Sequence, residues 1–70
     1  MLTARHNGNR FEIVADEPEV GVYLYVYDND LCIRDVLQND VETCIEIAFE
    51  DYGVPKDVWQ SKVTDSTKLT

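Results

Sequence analysis

Residues 22–28 read VYLYVYD, with Tyr23, Tyr25 and Tyr27 interleaved among Val22, Leu24 and Val26. Successive side chains of a strand point to opposite faces, so the aliphatics share one face and the tyrosines the other. β-Branched and aromatic residues suit a pleated, half-buried surface, and the period of two fits no helix. This stretch commits the chain to a sheet. It also leaves an aromatic face that must be covered by something or used for something.

The flanking residues extend the sheet. Asn29 and Asp30 tolerate positive φ, which predicts a tight hairpin into a further strand, LCIRDVLQ, over residues 31–38. With Asp28 opposite Leu31, Val26 opposes Ile33 and Val22 opposes Leu37. Tyr27, Tyr25 and Tyr23 then oppose Cys32, Arg34 and Val36. Directly opposed residues share a face, so Asp35, opposite Leu24, is the one polar intruder among the aliphatics. A slip of one residue would bring Arg34 to the aliphatic face and Ile33 to the tyrosine face, which the pattern disfavours. Upstream, RFEIVAD alternates as well, with Phe11, Ile13 and Ala15 on one side, and reads as the first strand. DEPEVG, with Pro18 and Gly21, turns the chain back.

NDVETCIEIAFEDYG reads as a helix. Val41, Cys44, Ile45, Ala48, Phe49 and Tyr52 form one apolar stripe, with Ile47 beside it and only partly buried. Asn39 or Asp40 caps the start, and Asn39 with Glu42 has the spacing of a capping box. Gly53 is the expected left-handed residue after the last turn, with Pro55 just beyond. Trp59 is expected to anchor VPKDVWQ over the core. Residues 1–9, which carry the single histidine His6, read as a flexible lead-in, and the polar residues 61–70 as a disordered tail. Residues 10–60 then form one α+β domain: a three-stranded antiparallel sheet in the order β-β-β-α, with one helix packed on one face.

A 70-residue chain buries only about 60% of its unfolded surface, so its core needs every apolar face it has. The net charge of −8 argues against nucleic acid and anionic membrane surfaces as partners and is compatible with a basic protein. Cys32 and Cys44 are too few for a disulfide framework. Cys44 lies on the helix stripe and Cys32 on the tyrosine face, so the expected register also separates them. The N-terminal residues lack the apolar core of a secretion signal, and no apolar run approaches the ~18 residues of a membrane helix. The expected setting is cytoplasmic, with reduced thiols.

No catalytic constellation emerges. His6 stands alone, Cys32, Cys44 and His6 lack zinc spacing, and DNDLCIRD lacks the glycine and glutamate of a calcium loop. No cofactor-binding motif is present, and an enzyme is not expected. Two surfaces remain. Glu42, Glu46 and Glu50 recur at a spacing of four and form an acidic helix ridge, with Asp51 beside it. Tyr23, Tyr25 and Tyr27 form the aromatic face, where Arg34 is expected to stack on Tyr25.

The run YLYVYD…CIRDVLQND…ETCIEIAFEDYGVPKDVW, from Tyr23 to Trp59, resembles a scattered group of small uncharacterised bacterial proteins. They share a Tyr-rich strand ending in Asp, a D-x-LQ strand end, an acidic helix and a closing DYGVPKDVW-type motif. Some of them look like immunity proteins that accompany bacterial toxins. The resemblance covers about half the chain and carries no catalytic or binding residue across. It implies a non-enzymatic protein-interaction module, in one form an immunity-type inhibitor of a basic toxin. The alternative is a structural homodimer formed through the tyrosine face.

Overall fold

The structure, a computed structural model, describes residues 1–15 and 20–61. Strands β1 (Leu2–His6), β2 (Asn9–Ala15), β3 (Val22–Asp28) and β4 (Leu31–Gln38) precede helix α1 (Val41–Tyr52) and a short β5 (Gln60–Ser61). They build one antiparallel sheet in the order β4-β3-β2-β1-β5, with the helix on one face. The fold is α+β, as expected, but the sheet has five strands rather than three.

The first added strand is β1. Residues 2–6 pair with β2 through a turn at Asn7 and Gly8, whose φ values of 50° and 83° are those of a tight hairpin. The expected flexible lead-in is therefore an ordered strand, held by the Asn-Gly pair between two short alternating runs. The second is β5, whose two residues pair with Leu2 and Thr3. Because β4 and β5 lie at opposite edges, the helix and the segment after it must cross the sheet. That crossing places them over one face. Most of the loop expected over residues 16–21 and most of the tail expected over residues 61–70 lie outside the described residues.

The core is the face under the helix. Ala4, Phe11, Ile13, Val22, Leu24 and Val26 are buried against Cys44, Ala48 and Val54. Phe11 stands at its centre, with Tyr52 and Trp59 packed edge-on at centroid distances of 5.2 and 6.4 Å. Full burial of a side chain of this size contributes roughly 1.5–3 kcal/mol.

The helix meets the sheet through its small residues, Cys44 and Ala48, which permits close approach. Phe49, expected in the stripe, is 46% exposed. It lies further around the helix than the sheet reaches, and the Lys56 ammonium sits 5.0 Å from its ring. Ile47, on the other flank, is partly buried against the core. Asp40 caps the helix: its Oδ1 accepts the Thr43 N–H at 2.8 Å and the Thr43 hydroxyl at 2.7 Å. The Asn39–Glu42 box is not used. Gly53 (φ 76°) ends the helix, its N–H donating to the Phe49 carbonyl at 2.9 Å.

The β3–β4 hairpin turns at Asn29 and Asp30, with φ values of 52° and 69°, and Asp28 opposes Leu31 as expected. Beyond Tyr27–Cys32 the register slips. Ile33 has no partner in a β-bulge, so Val26 opposes Arg34, Leu24 opposes Val36 and Tyr23 opposes Leu37. The slip removes Asp35 from the aliphatic face and places Val36 there, packed on the core. The cost is Ile33, left 50% exposed.

Candidate functional site

The face away from the helix holds Tyr23, Tyr25 and Tyr27 in three cross-strand rows. Near the hairpin tips the row is Arg5, Arg10, Tyr27 and Cys32. The middle row is Thr3, Glu12, Tyr25 and Asp35, and the last is Val14, Tyr23 and Leu37. A basic, an acidic and an aliphatic row thus each carry one tyrosine.

The tyrosines pack along their own strand. Tyr23 and Tyr25 are stacked, with centroids 5.6 Å apart and planes 14° from parallel, and Tyr27 follows at 6.4 Å from Tyr25. Tyr23 and Tyr25 thus turn a ring face to each other, whereas the Tyr27 ring is tilted 43° from Tyr25. The Tyr25 hydroxyl is held above its ordinary pKa by desolvation, then by its neighbours Tyr23 and Tyr27.

The cation stacked on a tyrosine of this face is Arg10, where Arg34 was expected. Its guanidinium lies 4.2 Å from the Tyr27 centroid, donates to Asp30 at 3.0 Å and approaches Glu12 at 3.3 Å. A pocket of about 280 Å³ between the two hairpin tips is lined by Arg5, Arg10, Tyr27 and Asp30. The bulge carries Arg34 to the opposite face, where it donates to Asp51 at 2.9 Å and to the Tyr52 hydroxyl at 3.4 Å. The expected stacking of Arg34 on Tyr25 is thereby corrected.

Trp59 does not cover the tyrosines either, since it packs against Phe11 on the helix side. Among the described residues no helix or loop lies over the tyrosine face.

The acidic ridge is divided. Glu46 is paired with Lys56 at 2.9 Å and Asp51 with Arg34, whereas Glu42 and Glu50 have no ion pair among the described residues. Both cysteines are free thiols, Cys32 exposed and Cys44 buried, and burial raises the Cys44 pKa. His6 lies on β1, and a Cβ added at Gly53 would stand 3.7 Å from its Nε2, so its ring lies beside the helix C-terminus. No group of three or more His, Cys, Asp or Glu among the described residues is placed to hold a metal ion. No helix among them is long and apolar enough to cross a membrane.

One signal for Arg10 was present in the sequence. It opens the alternating run that pairs with VYLYVYD, but placing it opposite Tyr27 needs the β2–β3 register, which the 16–21 loop does not reveal. Comparison with protein-family models, curated proteins and solved structures found no match to this chain.

Proposed function

We propose that this chain is a small non-enzymatic protein-interaction module that binds a protein partner through its tyrosine face. The observation that carries this reading is the contiguous Tyr23–Tyr25–Tyr27 strip, its first two rings stacked and the third tilted, on a sheet face that no described element covers. Tyrosine is enriched at interfaces because a rigid apolar body ends in a hydrogen-bonding tip. Tyr23 and Tyr25 turn one ring face to each other and Arg10 lies over the Tyr27 ring, which leaves less ring face for sugars or bases. Hydroxyls and edges suit the mixed polar and apolar surface of a protein. The test is capture of a partner from native cells with wild-type protein and with Tyr25→Ser, followed by affinity measurement on the purified pair. A truncated central tyrosine should cost tenfold or more, about 1.4 kcal/mol. Equal affinity for both proteins would sink the reading.

A second reading is the immunity-type inhibitor of a basic protein, using the helix ridge. Its support is that Glu42 and Glu50 have no ion pair among the described residues. Exposed charges of this kind act mainly on association rate. Replacing Glu42, Glu46 and Glu50 by Gln should slow association and flatten its salt dependence, and unchanged kinetics would remove the ridge from the mechanism.

A further inference from the structure

The two edges of the sheet are treated differently. The β1 edge is capped over Leu2 and Thr3 by β5. Among the described residues the β4 edge has no neighbouring strand along its eight residues, and it carries Leu31, Ile33 and Leu37 at 68%, 50% and 47% exposure. Bare edges recruit further strands, and proteins commonly blunt them with bulges or charges. Here the bulge sits at Ile33, so residues 34–38 remain regular. In an antiparallel ladder backbone groups alternate between partner and open side. Counting from the two-residue turn, that alternation directs the N–H and C=O of Asp35 and Leu37 outward.

We infer that β4 pairs antiparallel with β4 of a second copy, across a two-fold axis at Val36, to give one continuous ten-stranded sheet. The occupant follows from the register. A two-fold at Val36 sets Asp35 opposite Leu37 of the copy and Arg34 opposite Gln38, so no like charges face each other. A two-fold one residue earlier would oppose Asp35 to itself, which is unfavourable. Both outward pairs of backbone groups are satisfied, and each exposed Leu37 gains a neighbour. The charge of each chain, −8, opposes association over longer range. Salt screens that repulsion, so the dimer tightens as ionic strength rises. This inference is independent of the tyrosine-face reading, because pairing at the edge leaves both tyrosine faces open.

Sedimentation should show a monomer–dimer equilibrium between about 10 μM and 1 mM, since edge pairing lies at the small end of interfaces. Its midpoint concentration should rise at least tenfold in Asp35→Pro, which removes an outward N–H while leaving the β3 ladder intact. Tyr25→Ser should dimerise like wild type. Should Asp35→Pro unfold, Val36→Cys in a Cys32→Ser background replaces it: the axis brings the new thiols together, and mild oxidation should give a disulfide-linked dimer. A monomer at 1 mM in high salt, a dimer lost in Tyr25→Ser but not in Asp35→Pro, or no cross-link through position 36 would each overturn the inference.

Discussion

Arg34 and Asp51 form a 2.9 Å ion pair that ties the outer strand β4 to the last turn of the helix. The pair exists because Ile33 is unpaired and Arg34 is thereby delivered to the helix face. Both side chains remain substantially exposed, so solvent screens the pair and it stabilises by no more than about 1 kcal/mol. Arg34→Ala should therefore shift a urea midpoint only slightly. A loss beyond about 3 kcal/mol would mean the pair is desolvated like a buried one.

Deletion of Ile33 should be tolerated. Tyr27–Cys32 and Val26–Arg34 would become consecutive pairs, and every other side chain would keep its face. Unfolding should stay cooperative and within about 1 kcal/mol of wild type, as for surface changes that disturb no packing. Loss of cooperativity would show that the bulge does more than reset the register.

Two glycines should differ in cost when changed to alanine. At Gly53 (φ 76°) an added Cβ meets nothing closer than His6 at 3.7 Å, so only the left-handed backbone is strained, by about 1–2 kcal/mol. At Gly21 (φ 119°) the Cβ would stand 2.5 Å from the Gln38 carbonyl oxygen at the end of the β3–β4 ladder. Backbone must move there, so Gly21→Ala should be the more damaging in thermal denaturation.

The thiols should react in two phases. Cys32 is exposed, whereas Cys44 is buried with its pKa raised by desolvation. A thiol-specific dye should label Cys32 rapidly in native protein and Cys44 only at the rate of opening. Rapid labelling of both would contradict the buried position of Cys44 between sheet and helix.

Stability should fall at both ends of the pH scale. The Asp40 carboxyl is held below its ordinary value by hydrogen bonds from the Thr43 hydroxyl and then the Thr43 N–H. Its contribution is complete above the ordinary carboxylate pKa, about 3.9, and is lost as pH drops through the lower folded value. Tyr25 behaves oppositely. Its raised pKa gives a contribution complete below the ordinary tyrosine value, about 10, and lost as pH climbs through the higher folded one. Asp40→Asn keeps a capping oxygen and should weaken the acid dependence. Tyr25→Phe should weaken the alkaline dependence. Denaturation midpoints across pH check both.

By itself the sequence determined the features that depend on a few neighbouring residues. The alternation over residues 22–28 separated core aliphatics from tyrosines. Asn29–Asp30 made the hairpin turn, and Gly53 the helix end, because positive φ is a local property of the residue. Asn7–Gly8 was equally legible as a turn, but the short polar strand on its N-terminal side concealed it. Tertiary structure alone decided what depends on long-range packing. It set Val36 rather than Asp35 against the core and left Ile33 unpaired, since burying an aliphatic outweighs keeping a regular ladder. It turned Phe49 outward because the helix approaches through Cys44 and Ala48. It drew Trp59 to Phe11, so that among the described residues no element covers the tyrosine strip.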